Sequence, residues 1–308
     1  MNPTALGPSD AADTMGTSAR LKGLLRTARP RQWVKNVLVF AAPLAAGQLN
    51  RPDVAARATL AFALFCLVAS AVYFVNDALD VQADRAHPVK RRRPVAAGVV
   101  PLSAAYTAGA LSAATAVLVS CLAGTGTLTV VLVAYLLVQI LYVIRIKHEP
   151  LYDLAAIAAG FTLRAVAGGA AAGIDVTPMF LVTAGSGALM MAAGKRYSES
   201  VQEGEGRSRT RRSLGSYSAS YLRMLWQVAC GSVLMAYCLW AFSLDTEGLS
   251  APWPRLSSVP FLLATLAYAM HIDRGDAQAP EDVVLHDRGL LALGGSWLVF
   301  FALGTFGV

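Results

Sequence analysis

Charged residues are scarce in this chain, since Asp, Glu, Lys and Arg make up only 15% of its 308 residues. Typical soluble domains carry about 25% charged residues. Apolar residues reach 56% of the sequence, and the mean hydropathy is +0.51. This balance argues against an ordinary soluble domain and predicts a chain whose solvent is lipid.

Cysteine is also scarce, and familiar catalytic motifs are missing. The four cysteines lie in apolar stretches without zinc-type spacing, so no disulfide framework is predicted. The sequence has no nucleophile elbow, P-loop, HExxH or dinucleotide fingerprint. Residues 1–18 lack the basic and apolar regions of a cleavable signal peptide and are predicted to be a disordered cytoplasmic tail. One catalytic domain is predicted over residues 19–308.

Long apolar segments follow that tail, and about 20 such residues are needed to span a membrane. The predicted fold class is therefore all-α, a polytopic membrane protein with nine transmembrane helices. The nine spans are 31–49, 54–79, 101–121, 124–144, 150–173, 177–196, 218–244, 256–273 and 288–307.

Lysine and arginine are distributed unevenly between the two sides of such a bundle. With alternate loops on alternate sides, 22 of the 26 basic residues fall on one side. The positive-inside rule makes that side cytoplasmic, in a multi-pass protein of the inner (plasma) membrane. This topology accounts for part of the basic pI of about 9.4, so the lipid bilayer is an expected partner and nucleic acid is not.

Carboxylates at the end of the second span are not explained by topology. Asn76, Asp77, Asp80 and Asp84 share one face at 100° per residue. Three carboxylates within two turns repel one another and are costly to desolvate. A divalent cation relieves both costs, and all-oxygen ligands favour Mg²⁺. These four residues are the predicted metal ligands, and the three aspartates are candidate catalytic residues. The alternative is a solvated helix end with incidental acids.

A basic segment follows these acids directly, and its candidate binding residues are Arg85, His87, Lys90, Arg91 and Arg93. Acids that hold a metal, followed by bases that neutralise the remaining phosphate charge, are what a metal-bridged diphosphate needs. Binding to phosphate and capping of the loop are equally open roles for the histidine. The predicted site faces the cytoplasm.

Further polar residues lie near the same predicted side. An arginine inside a span is a functional candidate by default, although Arg164 has the alternative of pairing with Asp153 or with helix carbonyls. The remaining candidates end the fourth and sixth spans: Tyr142, Arg145, Lys147, Lys195, Arg196, Tyr197 and Glu199.

The acidic pattern Asn76-Asp77-xx-Asp80-xxx-Asp84, at the end of the second of nine helices, resembles the UbiA superfamily of intramembrane prenyltransferases. Tyr142 and Lys147 after the fourth helix fit the same superfamily. The usual members carry a second Asp-rich motif after helix six, but here no Asp occurs between Asp175 and Asp245. Lys195, Arg196 and Glu199 stand in that place. A site with one acidic cluster and excess basic residues suits a donor with more phosphate than a prenyl diphosphate.

This departure, with the stretch from Arg29 to Lys35 and Asn36 and with Gly160-Phe-xx-Arg164, looks like the decaprenyl-phosphate phosphoribosyltransferases of mycobacteria and their relatives. The resemblance implies a Mg²⁺-dependent glycosyltransferase that uses 5-phosphoribosyl 1-diphosphate (PRPP) and a polyprenyl phosphate. Its product is a precursor for cell-wall arabinan. Lys195 joins the aspartates as a catalytic candidate, while Lys35 and Asn36 join the substrate-binding candidates.

Two alternatives stay open. A conventional aromatic prenyltransferase with a polyprenyl diphosphate donor shares the fold and the first motif. A transporter or channel would distribute polar residues along several spans, whereas here they cluster at one side. The sequence allows a homo-oligomer, but it predicts neither the oligomeric state nor the chain length of the lipid.

Overall fold

The computed structural model describes residues 8–203, 217–244 and 249–306, and every regular element in these ranges is helical. This confirms the all-α fold class. The α-helices are α1 (Pro8–Ala28), α2 (Ala41–Ala45), α3 (Pro52–Leu79), α4 (Val81–Ala86), α5 (Leu102–Leu122), α6 (Gly126–Ile144), α7 (Tyr152–Ala172), α8 (Pro178–Glu203), α9 (Ala219–Ser243), α10 (Trp253–Asp273), α11 (Pro280–His286) and α12 (Arg288–Phe306). Three 3₁₀ helices cover Pro30–Phe40, Lys90–Arg92 and Ile146–His148.

Seven helices in the described ranges are long and apolar enough to cross a membrane: α3, α5, α6, α7, α9, α10 and α12. Each matches one predicted span to within three residues at either end. The predicted span 177–196 forms as α8, but this helix falls outside the seven because polar residues and the basic pair Lys195-Arg196 interrupt its apolar sequence.

The predicted first span, 31–49, is wrong as a continuous α-helix. The chain forms the 3₁₀ helix Pro30–Phe40 and then the short α2. Pro43 has no N–H to donate to the carbonyl of Val39, so an α-helix cannot run unbroken through this point. The same proline is tolerated in the first turn of α2, where no donor is needed.

The tail predicted to be disordered, residues 1–18, overlaps α1, which begins at Pro8. Proline suits a first helical position, where its missing N–H is not needed. Residues 1–7 of that tail lie outside the described residues.

The chain packs as two compact units. The first unit comprises residues 1–37 and 62–140. Its apolar core includes Phe74, Val81, Val95 and Val100, all buried. This core packs the end of α3, the short α4 and the following loop together. It therefore supports the residues from Asn76 to Asp84, called the acidic helix end below.

The second unit comprises residues 38–61 and 141–308. Its largest core joins α7, α8, α9 and α10 through Leu154, Tyr197, Trp226 and Ile272. Close packing at α7 requires glycine, since a Cβ at Gly168 would lie 1.8 Å from the Val39 carbonyl oxygen. That the two units act as the single catalytic domain expected over residues 19–308 stays a prediction.

Candidate active site

The segment from Arg29 to Asn36 runs antiparallel to α3, and three contacts define its register. Arg29 contacts Asp77, the Trp33 indole donates to the Ser70 hydroxyl at 3.1 Å, and the Asn36 amide donates to the Cys66 sulfur at 3.3 Å. This register places the start of the segment, rather than its end, beside the acidic helix end.

The acidic helix end keeps helical hydrogen bonding through a small break. α3 ends at Leu79 and α4 begins at Val81, yet the Asp80 N–H donates to the Asn76 carbonyl at 2.9 Å. The Asp84 N–H then donates to the Asp80 carbonyl at 2.8 Å. The predicted grouping on one helical face therefore agrees with the backbone.

Two arginines pair with the aspartates of this end. Asp77 is 2% exposed, and its Oδ1 accepts from Arg29 Nη2 at 2.6 Å and Arg93 Nη1 at 3.3 Å. Arg93 Nη1 also lies 2.7 Å from Asp84 Oδ2, and Asp84 is 3% exposed. One guanidinium thus bridges two buried carboxylates, while Asp80 is half-buried.

Within the described residues, no three His, Cys, Asp or Glu side chains are grouped closely enough to hold a metal by themselves. Mg²⁺ needs fewer, because it usually binds one or two carboxylates together with substrate phosphate and water. Asp77 and Asp84 both contact Arg93, so oxygens of the two carboxylates already lie around one positive charge. The donor set Asn76, Asp77, Asp80 and Asp84 therefore fits Mg²⁺, provided that Arg29 and Arg93 move.

The basic loop after α4 is ordered by local bonds. His87 Nδ1 accepts the backbone N–H groups of Val89 and Lys90 at 3.2 and 3.3 Å, so this side chain caps the loop. Arg85 donates to the Ala96 carbonyl at 3.1 Å. The Arg91 side chain is exposed, and that of Lys90 is half-buried.

Asn36 lies away from the acidic helix end, and its predicted role in binding substrate stays a prediction. It is 1% exposed, and its partner Cys66 lies ten residues before Asn76 on α3, about 15 Å along a helix axis. Asn36 thus packs the interior of the first unit. The neighbouring Lys35 is half-buried.

In the second unit, Arg196 forms a buried ion cluster. Its guanidinium lies 3.4 Å from Asp153 Oδ2 and 3.0 Å from Glu199 Oε2, and Asp153 is fully buried. The Tyr217 hydroxyl donates to Asp153 Oδ1 at 2.6 Å and accepts from the Leu151 N–H. Burial, with the bond to Asp153, raises the pKa of Tyr217. This geometry favours a structural role for Arg196, whose predicted role was phosphate binding.

Two other predicted binding residues are also used internally. Tyr197 is 2% exposed, packs 6.3 Å from Trp226, and its hydroxyl accepts from Arg223 Nε at 3.1 Å. Arg164 is buried, donates to the Gly160 carbonyl at 2.9 Å and lies 5.3 Å from the Phe161 ring centre. Arg164 therefore pairs with a helix carbonyl, which is the alternative that the sequence analysis left open.

Of the remaining candidates of the second unit, Tyr142, Arg145 and Lys147 lie at or just after the end of α6, and Lys195 lies within α8. Tyr142, Lys147 and Lys195 are half-buried, and Arg145 is exposed.

Sequence reasoning missed Arg29 and Tyr217, and it considered Asp153 only as a partner for Arg164. A signal existed for Asp153, a lone acid at the start of an apolar helix. Arg29 adjoins the end of α1, but nothing in its spacing indicates Asp77 as its partner. Tyr217 gives no sequence signal, because its role depends on which helices pack together.

Seven membrane-length helices in the described ranges, with arginine-paired aspartates buried at a helix end, define a polytopic membrane protein with a charged site. The chain matches the UbiA prenyltransferase family over residues 37–306. It belongs to this family.

Curated relatives extend over almost the whole chain. A decaprenyl-phosphate phosphoribosyltransferase of Corynebacterium glutamicum is 44% identical over 292 residues, which cover 92% of this chain and 87% of that protein. One of Mycolicibacterium smegmatis is 42% identical over 301 residues, which cover 94% of each chain.

The fold has solved counterparts. A UbiA homologue of Archaeoglobus fulgidus bound to DMAPP and Mg²⁺ superposes with a TM-score of 0.69 at 16% identity. The match covers 92% of this chain and 99% of that one. This likeness establishes the UbiA fold.

Proposed function

We propose that this chain transfers 5-phosphoribose from PRPP to a polyprenyl phosphate, decaprenyl phosphate in the first instance. The bond between the ribose anomeric carbon and the diphosphate oxygen breaks, and diphosphate leaves with the electron pair. An oxygen of the lipid phosphate forms the new bond at that carbon. The products are polyprenylphosphoryl 5-phosphoribose and diphosphate.

The similarity to the Corynebacterium protein, 44% identity over 92% of this chain, carries this proposal, because that relative is named a decaprenyl-phosphate phosphoribosyltransferase. The residues agree with such a donor. The chain has no Asp between Asp175 and Asp245, where a second metal-binding motif is usual in the prenyl diphosphate enzymes. A phosphorylated sugar diphosphate also carries more negative charge than a prenyl diphosphate, which suits the many basic residues.

The first unit supplies the diphosphate site of the proposal. Asn76, Asp77, Asp80 and Asp84 would hold Mg²⁺, which when bound neutralises charge on the leaving diphosphate. Arg93 lies within hydrogen-bonding distance of two of these carboxylates, so its guanidinium needs only a short movement to donate to the diphosphate. Such charge-assisted hydrogen bonds strengthen as negative charge develops on the leaving group.

The basic loop extends this site. Arg85, Lys90 and Arg91 would share the charge of the donor, and the cap formed by His87 holds the loop that carries them. A lipid phosphate dianion is itself a nucleophile, so no dedicated general base is required. In the second unit, we propose that Lys147 and Lys195 bind phosphate. Of these two residues, Lys195 is also the candidate for a catalytic role.

The topology of the proposal has nine transmembrane segments, the seven described membrane-length helices together with the 31–49 region and α8. The uneven distribution of lysine and arginine supports a plasma-membrane protein with its active site facing the cytoplasm. Such a location gives the site access to water-soluble PRPP and to the lipid acceptor.

The rival function is prenylation of an aromatic acid by a polyprenyl diphosphate donor, which the family match alone permits. The aspartate cluster at the end of α3 suits both reactions, because both release diphosphate. The two functions differ in which substrate carries the diphosphate.

Purified protein, PRPP labelled in the ribose and decaprenyl phosphate test the proposal. The label should move to the lipid fraction, transfer should stop with EDTA, and added Mg²⁺ should restore it. A lipid fraction that stays unlabelled with active, folded protein would overturn the proposal.

A further inference from the structure

We propose that Arg29 is a further substrate-binding residue that exchanges its carboxylate partner for the diphosphate. It pairs with Asp77 until metal and diphosphate bind, and then donates to the diphosphate. The inference rests on the proposed function, and it gives a role to a residue that the sequence analysis names only as the start of the stretch from Arg29 to Asn36.

Arg29 and a metal ion would compete for the same oxygen of Asp77, so they cannot both bind it. Asp77 Oδ1 accepts from Arg29 at 2.6 Å and from Arg93 at 3.3 Å. A divalent cation on that oxygen would meet two guanidiniums at close range and repel both. Metal binding through Oδ1 of Asp77 therefore requires both guanidiniums to move, and the nearest new negative charge is the diphosphate that accompanies the metal.

The backbone of Arg29 is held in a costly conformation that places its side chain at this point. Its φ is 54°, in the left-handed region that non-glycine residues rarely adopt. The Ser70 hydroxyl lies 3.1 Å from the neighbouring Ala28 carbonyl and 2.7 Å from the Cys66 carbonyl, which share its one proton, and it accepts from Trp33. Backbone strain that surrounding bonds maintain is typical of functional positions.

The side chain of Arg29 is more accessible than the carboxylate that it contacts. It is 28% exposed, whereas Asp77 is almost fully buried. The guanidinium also lies 4.6 Å from the centre of the Tyr73 ring, one turn before Asp77 on α3. This cation–π contact gives it a second partner, so a short movement away from the carboxylate does not leave the charge unsupported.

If Arg29 exchanges partners in this way, removing its guanidinium should have opposite effects on the affinity for metal and on the affinity for diphosphate. Without the guanidinium, Asp77 loses a competitor for metal, so metal alone should bind more tightly. The diphosphate loses a charge-assisted donor, so it should bind more weakly. A residue that only supports the fold would weaken both.

Mn²⁺ electron paramagnetic resonance on the purified full-length protein measures both affinities. We compare Arg29→Gln with wild type, and use Arg31→Gln as a matched control because it removes the same charge from an exposed position two residues away. Titration with Mn²⁺ alone gives the metal affinity, and titration of the Mn²⁺-loaded protein with inorganic diphosphate gives the anion affinity.

The expected result for Arg29→Gln is several-fold tighter Mn²⁺ binding and roughly tenfold weaker diphosphate binding, the size of one charge-assisted hydrogen bond. Arg31→Gln should stay near wild type. Arg29→Lys, which keeps the charge, should recover part of the diphosphate affinity and rules out misfolding as the cause. Equal affinities in wild type and Arg29→Gln, or a parallel loss of both, would overturn the exchange. Sugar transfer by wild type in the same preparation shows that such a failure is separate from the proposed function.

Discussion

The Arg196 guanidinium lies 3.4 Å from the Asp153 carboxylate, with side chains 3% and 0% exposed. The pair ties the C-terminal half of α8 to the start of α7, and Tyr217 adds a bond from the segment before α9. A buried charge of this kind is strongly destabilising once its partner is removed. The cluster therefore holds three helices of the second unit in register.

Asp153→Asn should lower the free energy of unfolding by about 3–5 kcal/mol, because it leaves the buried Arg196 charge with Glu199 alone. Chemical denaturation in detergent measures the loss. Arg145→Ala, at an exposed position, is the control and should change stability by no more than about 0.5 kcal/mol. If Asp153→Asn were as stable as wild type and only the KM for one substrate rose, the cluster would instead be part of a binding site.

Tyr217→Phe should reduce the loss of stability at high pH. Burial and the bond to Asp153 raise the pKa of Tyr217 above its ordinary value of about 10. Above that pH the unfolded chain releases the phenol proton while the folded chain retains it, so rising pH favours unfolding. Melting temperatures at pH 8 and pH 11 should fall further for wild type than for Tyr217→Phe. An identical fall in both proteins would contradict this account of the hydrogen bond.

Gly168→Ala should prevent close packing of α7 against the chain at Val39, because the new Cβ would lie 1.8 Å from a backbone oxygen. The expected result is a melting temperature far below wild type or failure to fold. Gly231→Ala is the matched control, since a Cβ there meets nothing within 4 Å. Removing glycine from the α9 interior should stabilise by up to about 1 kcal/mol. Equal melting temperatures for the two variants would contradict the described packing.

Asp80→Ala and Asp77→Asn should separate catalysis from stability. Asp80 is half-buried at the break between α3 and α4, so its variant should lose turnover and stay folded. Asp77 is buried between Arg29 and Arg93, so Asp77→Asn should lose turnover and also about 1–3 kcal/mol of stability. Transfer assays and thermal melts on both variants check this. Near-normal transfer by Asp80→Ala with Mg²⁺ present would refute the proposed role of Asp80 as a metal ligand.

The sequence predicts most of this fold, because membrane-length apolar runs and their flanking charges depend only on local composition. Seven predicted spans are confirmed as helices with ends within three residues. The segment 31–49 could not be predicted in this way. Its apolar content is that of a helix, but Pro43 and the contact at Gly168 decide its path.

The candidate site was predictable in part for the same reason. Asn76 to Asp84 are neighbours along one helix, so periodicity alone groups them. The partners of Asp77 and Asp153 come from distant parts of the sequence, and their pairing depends on packing that no local pattern encodes. Arg196 shows the limit, since its basic charge suggests phosphate binding whereas its burial indicates an internal ion cluster.

A competition between the two candidate reactions tests the central claim most directly. Purified protein with Mg²⁺ receives PRPP, decaprenyl phosphate, a polyprenyl diphosphate and an aromatic acid together, and mass spectrometry identifies the lipid products. We predict a polyprenyl phosphate that has gained one phosphoribosyl group, with no prenylated aromatic acid. Prenylation of the aromatic acid without sugar transfer would contradict the account.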